Sequence, residues 1–279
     1  MASYNFFFFV MSFILMQLLA AINGATFDQN YYAYWGLNHF KLVEPQDEVQ
    51  LLLDQSSGSG FKSRSEYESG LFRIKMKIPE QKTGGIIPNF YLISNFDSGR
   101  DELDFEFMGS KGLLQTNIYT GGLGGREQRL QLPFDPSQDF HTYTILWNQH
   151  QIVFFVDDIP VRVFKNETNK GVKYPTKAMH IEGTIWYGDW AGEVDWKLSP
   201  FIVHYKDFNN ITACSASQFP GAGQCYSSSS GFFWNLPPFL ELNNQQKHNL
   251  EMVQKSWLVY DYCKSSNINL KIYPECSMT

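Results

Sequence analysis

Residues 101–108 read Asp-Glu-Leu-Asp-Phe-Glu-Phe-Met, which sets three carboxylates at strict alternation with apolar residues between them. Successive side chains of a strand point to opposite faces, so Glu102, Asp104 and Glu106 share one face and Leu103, Phe105 and Phe107 the other. Three neighbouring like charges repel one another and raise each other's pKa, a costly arrangement on a merely solvated face. Glycoside cleavage uses such a set, because one carboxylate attacks the anomeric carbon while one carboxylic acid protonates the departing oxygen. A calcium loop would carry its acids with Gly and Asn on a turn, whereas Leu103, Phe105 and Phe107 mark a sheet interior. On an extended strand roughly 13 Å separates the Cα atoms of Glu102 and Glu106. Retention wants the two carboxyl groups about 5 to 5.5 Å apart, so both glutamates must lean towards Asp104; inversion, at roughly 6.5 to 9.5 Å, is left open by spacing alone.

The acids need a scaffold, and the chain from Thr26 to Tyr205 reads as strands. Leu71 to Ile78 alternates with period two, while Thr142 to Trp147 and Ile152 to Val156 are rich in β-branched and aromatic residues. Ser57-Gly58-Ser59-Gly60, Thr83-Gly84-Gly85, Gly121 to Gly125 and Phe134-Asp135-Pro136-Ser137 punctuate them as turns. Many short strands without a long helical pattern predict an antiparallel two-sheet sandwich able to hold an extended ligand on one face. After Tyr205 the character changes. A serine patch at 227–231 reads as a surface linker, and Leu240 to Trp257 reads as an amphipathic helix packed on the sandwich before Val259-Tyr260-Asp261-Tyr262 returns to strand. The domain reading is therefore 26–205 for the sandwich and 206–279 for a C-terminal extension.

With 279 residues, 43% hydrophobic and 16% aromatic, the chain has ample material for a core. A formal charge of −6 without a dense basic run makes nucleic acid and anionic membranes poor partners and favours neutral substrates. Residues 1–25 read as a secretory signal peptide: Phe6 to Ile22 is almost wholly apolar, and Asn23-Gly24-Ala25 supplies small residues at a cleavage point. The mature protein is then expected to be secreted, with no membrane segment. Cys214, Cys225, Cys263 and Cys276, an even number, suit an oxidising compartment, and three pairings are possible. The sequential one would close two short loops, each worth on the order of 3 kcal/mol. Asn166-Glu167-Thr168 and Asn210-Ile211-Thr212 are glycosylation sequons.

Sugar rings offer apolar faces that stack on aromatics and hydroxyls that need planar polar groups. Trp186-Tyr187-Gly188-Asp189-Trp190 has that mix, and Gln115-Thr116-Asn117-Ile118-Tyr119 would place Gln115 and Asn117 on one face with Tyr119 beyond them. Buried amides need several partners, which makes Gln115 and Asn117 poor core residues.

Several further blocks stand beside the acidic one: Ser57-Gly58-Ser59-Gly60-Phe61, Gln115-Thr116-Asn117, Arg126-Glu127-Gln128-Arg129, Phe134-Asp135-Pro136 and Asp139-Phe140-His141-Thr142-Tyr143. Val153 to Asp157, Val259 to Cys263 and Pro274-Glu275-Cys276 follow. Taken together, these blocks resemble the plant xyloglucan endotransglucosylase/hydrolases of glycoside hydrolase family 16. The resemblance implies an all-β, concanavalin-like β-jelly-roll sandwich with a short C-terminal extension containing one helix and two disulfides. It implies a secreted, apoplastic cell-wall enzyme that cleaves β-1,4-glucan backbones, xyloglucan above all, by retaining double displacement and passes the glycosyl-enzyme to another glucan chain. Glu102 would be the nucleophile, Glu106 the general acid and base, and Asp104 the hydrogen-bond support of the nucleophile. Gln115, Asn117, Glu127, Arg129, Trp186 and Trp190 would be substrate contacts. No cofactor or metal is expected, and a monomer is. The alternatives are an endo-β-glucan hydrolase and a transglycosylase using cellulose or mixed-linkage glucan. Three departures from the family pattern fall near the acids: Arg100 where His is usual, Ser110 where a glycosylated Asn is common, and a short link, Gly192-Glu193-Val194, after Trp190.

Overall fold

The computed structural model describes residues 26–43, 47–95, 99–109, 112–209, 211–218, 224–227 and 231–278. The signal-peptide reading, Ser110, the Asn210 sequon and most of the serine patch lie outside the described residues. The strands among them are β1 (Tyr31–Trp35), β2 (Phe40–Val43), β3 (Glu48–Leu53), β4 (Ser59–Ser63), β5 (Tyr67–Lys77), β6 (Ile86–Ile93), β7 (Glu102–Phe107) and β8 (Leu113–Tyr119). They continue with β9 (Gln128–Gln131), β10 (His141–Trp147), β11 (Gln151–Val156), β12 (Ile159–Lys165), β13 (His180–Tyr187), β14 (Phe201–Lys206), β15 (Ile211–Ser215) and β16 (Leu258–Asp261).

Two antiparallel sheets face each other, as the strand pattern predicts. One runs β1-β4-β13-β6-β7-β8-β9-β16; the other runs β12-β11-β10-β5-β14-β3-β2, with β15 also paired to β5. Their inner faces bury one apolar core that includes Leu103, Phe105 and Phe107 from β7 and Tyr143, Ile145 and Phe154 from β10 and β11. Local chemistry fixes the connections. Asp157 and Asp158, both at positive φ of 48° and 63°, make the two-residue hairpin between β11 and β12, and Asp157 takes a hydrogen bond from the Thr142 amide.

Every residue of β11 is buried, which explains its unbroken apolar run. One face meets the core. Outward-facing Leu146, Val153 and Phe155 are covered by Trp234 and Leu242 of the C-terminal extension. Asn148 ties that cover down by donating to the carbonyls of Trp234 and Phe239 at 2.8 and 3.0 Å.

The extension contains helix α1 (Asn244–Ser256), which starts four residues later than the apolar spacing predicts. The reason is local: Pro237 and Pro238 occupy a separate 3₁₀ turn, and Asn243 is the N-cap, exchanging hydrogen bonds with Gln246 in a capping box. Disulfides join Cys214 to Cys225 and Cys263 to Cys276, the sequential pairing. The extension is also woven into both sheets, because β15 pairs with β5 and β16 completes the first sheet beside β9. Among the described residues no helix is long and apolar enough to cross a membrane.

Candidate active site

Strand β7 lies inside the first sheet, between β6 and β8, and its alternation sends Leu103, Phe105 and Phe107 into the core at 0% exposure. The acids therefore stand on the opposite face, and register sets what stands beside each. Glu102 is level with Ile93 and Tyr119, Asp104 with Tyr91 and Asn117, and Glu106 with Asn89 and Gln115. Further out, Gln115 is level with Arg129, and Tyr91 with Glu182.

These neighbours form a relay of hydrogen bonds. Arg129 Nε donates to Gln115 Oε1 at 2.9 Å, and Gln115 Nε2 donates to Glu106 Oε2 at 2.8 Å. Asn117 Nδ2 donates to Glu127 Oε1 at 3.3 Å, while Asn117 Oδ1 accepts from the amides of Ile118 and Arg126. At the other end, Arg100 pairs with Glu102 Oε2, and its guanidinium lies 4.4 Å over the Tyr119 ring.

Burial governs the protonation of the three acids. Asp104 is pushed well up, first by desolvation and then by the charges of Glu102 and Glu106, so it keeps its proton and donates to Glu102. Glu102 is also raised by burial, opposed by the charge and hydrogen bond of Arg100 and the hydrogen bond of Asp104. Glu106 is raised by burial, with the Gln115 hydrogen bond pulling down and the charges of Glu102 and Glu127 pushing up. Tyr119 is pushed up to about 12, chiefly by burial and then by the neighbouring carboxylates. Glu102 and Asp104 titrate together. The arrangement offers a cation-paired acid at one end, an acid held by an amide at the other, and the more deeply buried Asp104 between them.

All nine acids and contacts singled out in the sequence line one cleft lobe of about 360 Å³, together with Arg100 and Tyr119. Trp186 and Trp190 stand with ring centroids 6.3 Å apart, and Trp190 is 48% exposed, so neither is a core residue. The short link after Trp190 folds back onto the turn at 83–85: Gly84 and Gly85 amides donate to the carbonyls of Glu193 and Ala191 at 3.1 and 3.0 Å. Gly85 adopts φ +66° there, with Val194 only 2.5 Å from where a Cβ would sit. Away from the cleft, the Asn166 side chain caps its own loop by donating to the Gln149 carbonyl at 2.7 Å.

A second lobe of about 270 Å³ shares the three acids and Trp186 but is otherwise lined by residues that sequence reasoning missed, among them Tyr34, Trp35, Asn89 and Tyr91. Beside it Glu182, 5% exposed, accepts from Tyr34 and Tyr91 at 2.8 and 2.6 Å and pairs with Lys62 at 3.3 Å. Burial, then the charge of Glu182, holds the Tyr91 phenol well above its ordinary pKa. The period-two rule that exposes β7 would have found Glu182, Thr184 and Trp186 on one face of β13. Tyr34 and Trp35 were not legible that way, because the register shifts between Ala33 and Trp35.

Residues 27–204 match the profile of Glycosyl hydrolases family 16. The chain is 44% identical over 260 residues to putative xyloglucan endotransglucosylase/hydrolase protein 1 of Arabidopsis thaliana, covering 90% of this chain and 86% of that one. It is 43% identical to xyloglucan endotransglucosylase/hydrolase protein 3 of the same plant, covering 85% and 84%. Among solved structures, a Bacillus licheniformis β-glucanase aligns over 63% of this chain and 89% of its own, at 23% identity and a TM-score of 0.56, and supports the sandwich fold. A lichenase from a mouse hindgut metagenome gives the same TM-score at 26% identity over 66% and 95%. The protein is a glycosyl hydrolase/transferase of family 16 and belongs to its xyloglucan endotransglucosylase/hydrolase group.

Proposed function

We propose that this is a secreted cell-wall enzyme that cuts the β-1,4-glucan backbone of xyloglucan with retention and transfers the cut chain to a second glucan. The observation that carries the reading is the division of labour among the acids: Arg100 and Asp104 both address Glu102, while Gln115 and Arg129 address Glu106. In the first step the Glu102 carboxylate bonds to the anomeric carbon as the glycosidic bond breaks, and Glu106 gives its proton to the departing oxygen. In the second, Glu106 takes the proton of an incoming hydroxyl, whose oxygen bonds to the anomeric carbon while Glu102 leaves as carboxylate.

The raised pKa of Glu106 suits a group that must enter the first step protonated. Trp186 and Trp190 supply the aromatic faces on which a sugar chain would be held, favouring an oriented chain over water. The names of the relatives favour xyloglucan as substrate.

The test is incubation with xyloglucan or a soluble cellulose derivative, with and without labelled oligosaccharide acceptors, following both label in polymer and new reducing ends. Label incorporation with few new ends is expected; new ends without incorporation make the enzyme a hydrolase. Glu102→Gln should lose both activities, by about 10³-fold or more, while keeping the wild-type unfolding transition. Substantial residual turnover would remove Glu102 as nucleophile.

A further inference from the structure

Arg100 is the one cation in direct contact with the acids of β7 among the contacts the structure shows, and it is held from two sides. Its Nε is bonded to Glu102 Oε2, and its guanidinium carbon lies 4.4 Å from the ring centre of Tyr119, the residue level with Glu102 on β8. Gly99, at φ +80°, turns the chain immediately before it, and the Arg100 carbonyl accepts from the Gly122 amide at 2.7 Å, so the backbone is anchored as well. Around Glu102, Asp104 and Glu106 stand on its own strand, the Tyr119 phenol on β8 and Glu182 on β13; β6 presents uncharged Ile93. Of these groups Arg100 is the one that carries positive charge to Glu102 directly; Lys62 pairs with Glu182, and His180, level with Ile93 on β13, faces Glu66 and the Ser63 carbonyl.

We infer that Arg100 is a positioning residue that holds Glu102 ionised and aimed before attack and takes up the carboxylate's charge again when the glycosyl-enzyme breaks down. The inference rests on Glu102 being the nucleophile. In the covalent intermediate Glu102 is a neutral ester. When an acceptor oxygen bonds to the anomeric carbon, the ester C–O bond breaks, its electron pair returns to Glu102, and the acceptor's proton passes to Glu106. The negative charge that reappears on Glu102 does so beside a fixed cation, which stabilises the transition state of that step without reorganisation. In the first step the same ion pair has opposing effects: it keeps Glu102 ionised but stabilises the carboxylate that must attack. Arg100 thus favours breakdown of the intermediate over its formation, whichever hydroxyl attacks.

The test uses an aryl β-glycoside of a xyloglucan oligosaccharide as donor, with Arg100→Gln, Arg100→Lys and wild type compared. For Arg100→Gln, kcat is expected to fall about tenfold to a hundredfold, more than kcat/KM at neutral pH, because breakdown limits kcat and formation limits kcat/KM. Aryl release should become a burst, and intact mass should show an accumulated glycosyl adduct. The acid limb of kcat/KM should move to higher pH, since losing the cation favours the protonated form of Glu102 and more alkali is needed to ionise it. Arg100→Lys should restore the limb and much of the breakdown rate. Arg100→Gln showing no burst, no adduct and an unmoved acid limb overturns the inference, as does an equal fall of kcat and kcat/KM. Retained turnover in Glu102→Gln overturns the nucleophile reading itself, and the Glu102 variant separates that failure from a failure of Arg100 alone.

Discussion

Asp104 has 3% of its surface exposed, and its Oδ1 has no hydrogen-bond partner among the described residues. A carboxylate there would be desolvated between two more acids, which is why its pKa lies well above the ordinary value and the neutral form prevails. The linkage has a definite sign. A folded-state pKa above the unfolded one gives a contribution that is fully present below the unfolded pKa and is lost as pH rises through the folded one. Asp104→Asn keeps the shape and a donor towards Glu102 but cannot ionise. The variant's melting temperature should therefore exceed that of the wild type by a margin that widens from about pH 4 towards neutrality, at roughly 2–4 °C per kcal/mol for a chain of this size. Thermal scans from pH 4 to 8 check this, and a Tm gap that stays constant with pH refutes the raised pKa.

Strand β7 does two jobs with one period, since its inward residues hold the sheets together and its outward ones make the cleft. Phe105, between Asp104 and Glu106, meets Tyr143 and Phe154 edge-on at 5.5 and 5.1 Å. Phe105→Ala should cost about 3–5 kcal/mol in denaturant unfolding, the transfer loss plus the cavity left behind. A cost below about 1 kcal/mol would mean that the strand is not anchored through this ring. This alternation was legible in the sequence because a strand's period is short and the acids mark one face outright. Gln115 and Asn117 on β8 were legible for the same reason. The start of α1 was misplaced because its apolar residues begin at Leu240 and Leu242, before the capping residue Asn243 that ends the preceding turn. Which strand lies beside which is long-range information. Glu182 reaches the cleft only because β13 pairs with β6, some ninety residues away in the chain, and no local pattern encodes that pairing.

At the scale of the whole molecule, the C-terminal extension is a wall of the cleft sheet rather than an appendage. Strand β16 pairs with β9, and Tyr260 lies 4.9 Å under the guanidinium of Arg129, the residue that begins the relay to Glu106. The deeper link is Arg126, whose side chain is fully buried. Its Nε donates to Glu275 Oε1 at 2.6 Å, its Nη1 to the Leu123 carbonyl at 2.9 Å, and its amide to Asn117 Oδ1 at 3.1 Å. Glu275 adjoins Cys276, whose disulfide to Cys263 fastens the tail, and it accepts from Tyr262 at 3.1 Å. Tyr273 closes the same corner by donating to the Gly124 carbonyl. Removing Glu275 would strand a buried guanidinium, which costs more than the pair contributes when intact. Glu275→Ala should therefore lower unfolding free energy by about 3–5 kcal/mol, and Glu275→Gln, which keeps an acceptor, by clearly less. Because Asn117 hangs on the Arg126 amide, the loosened corner should also weaken sugar binding: a loss of about 1 kcal/mol raises KM about fivefold with kcat little changed. Unfolding curves and Michaelis profiles on the same preparations decide it. A Glu275→Ala protein with wild-type stability would show that the extension merely rests on the sandwich, and one with lowered stability but wild-type KM would uncouple the tail from the cleft.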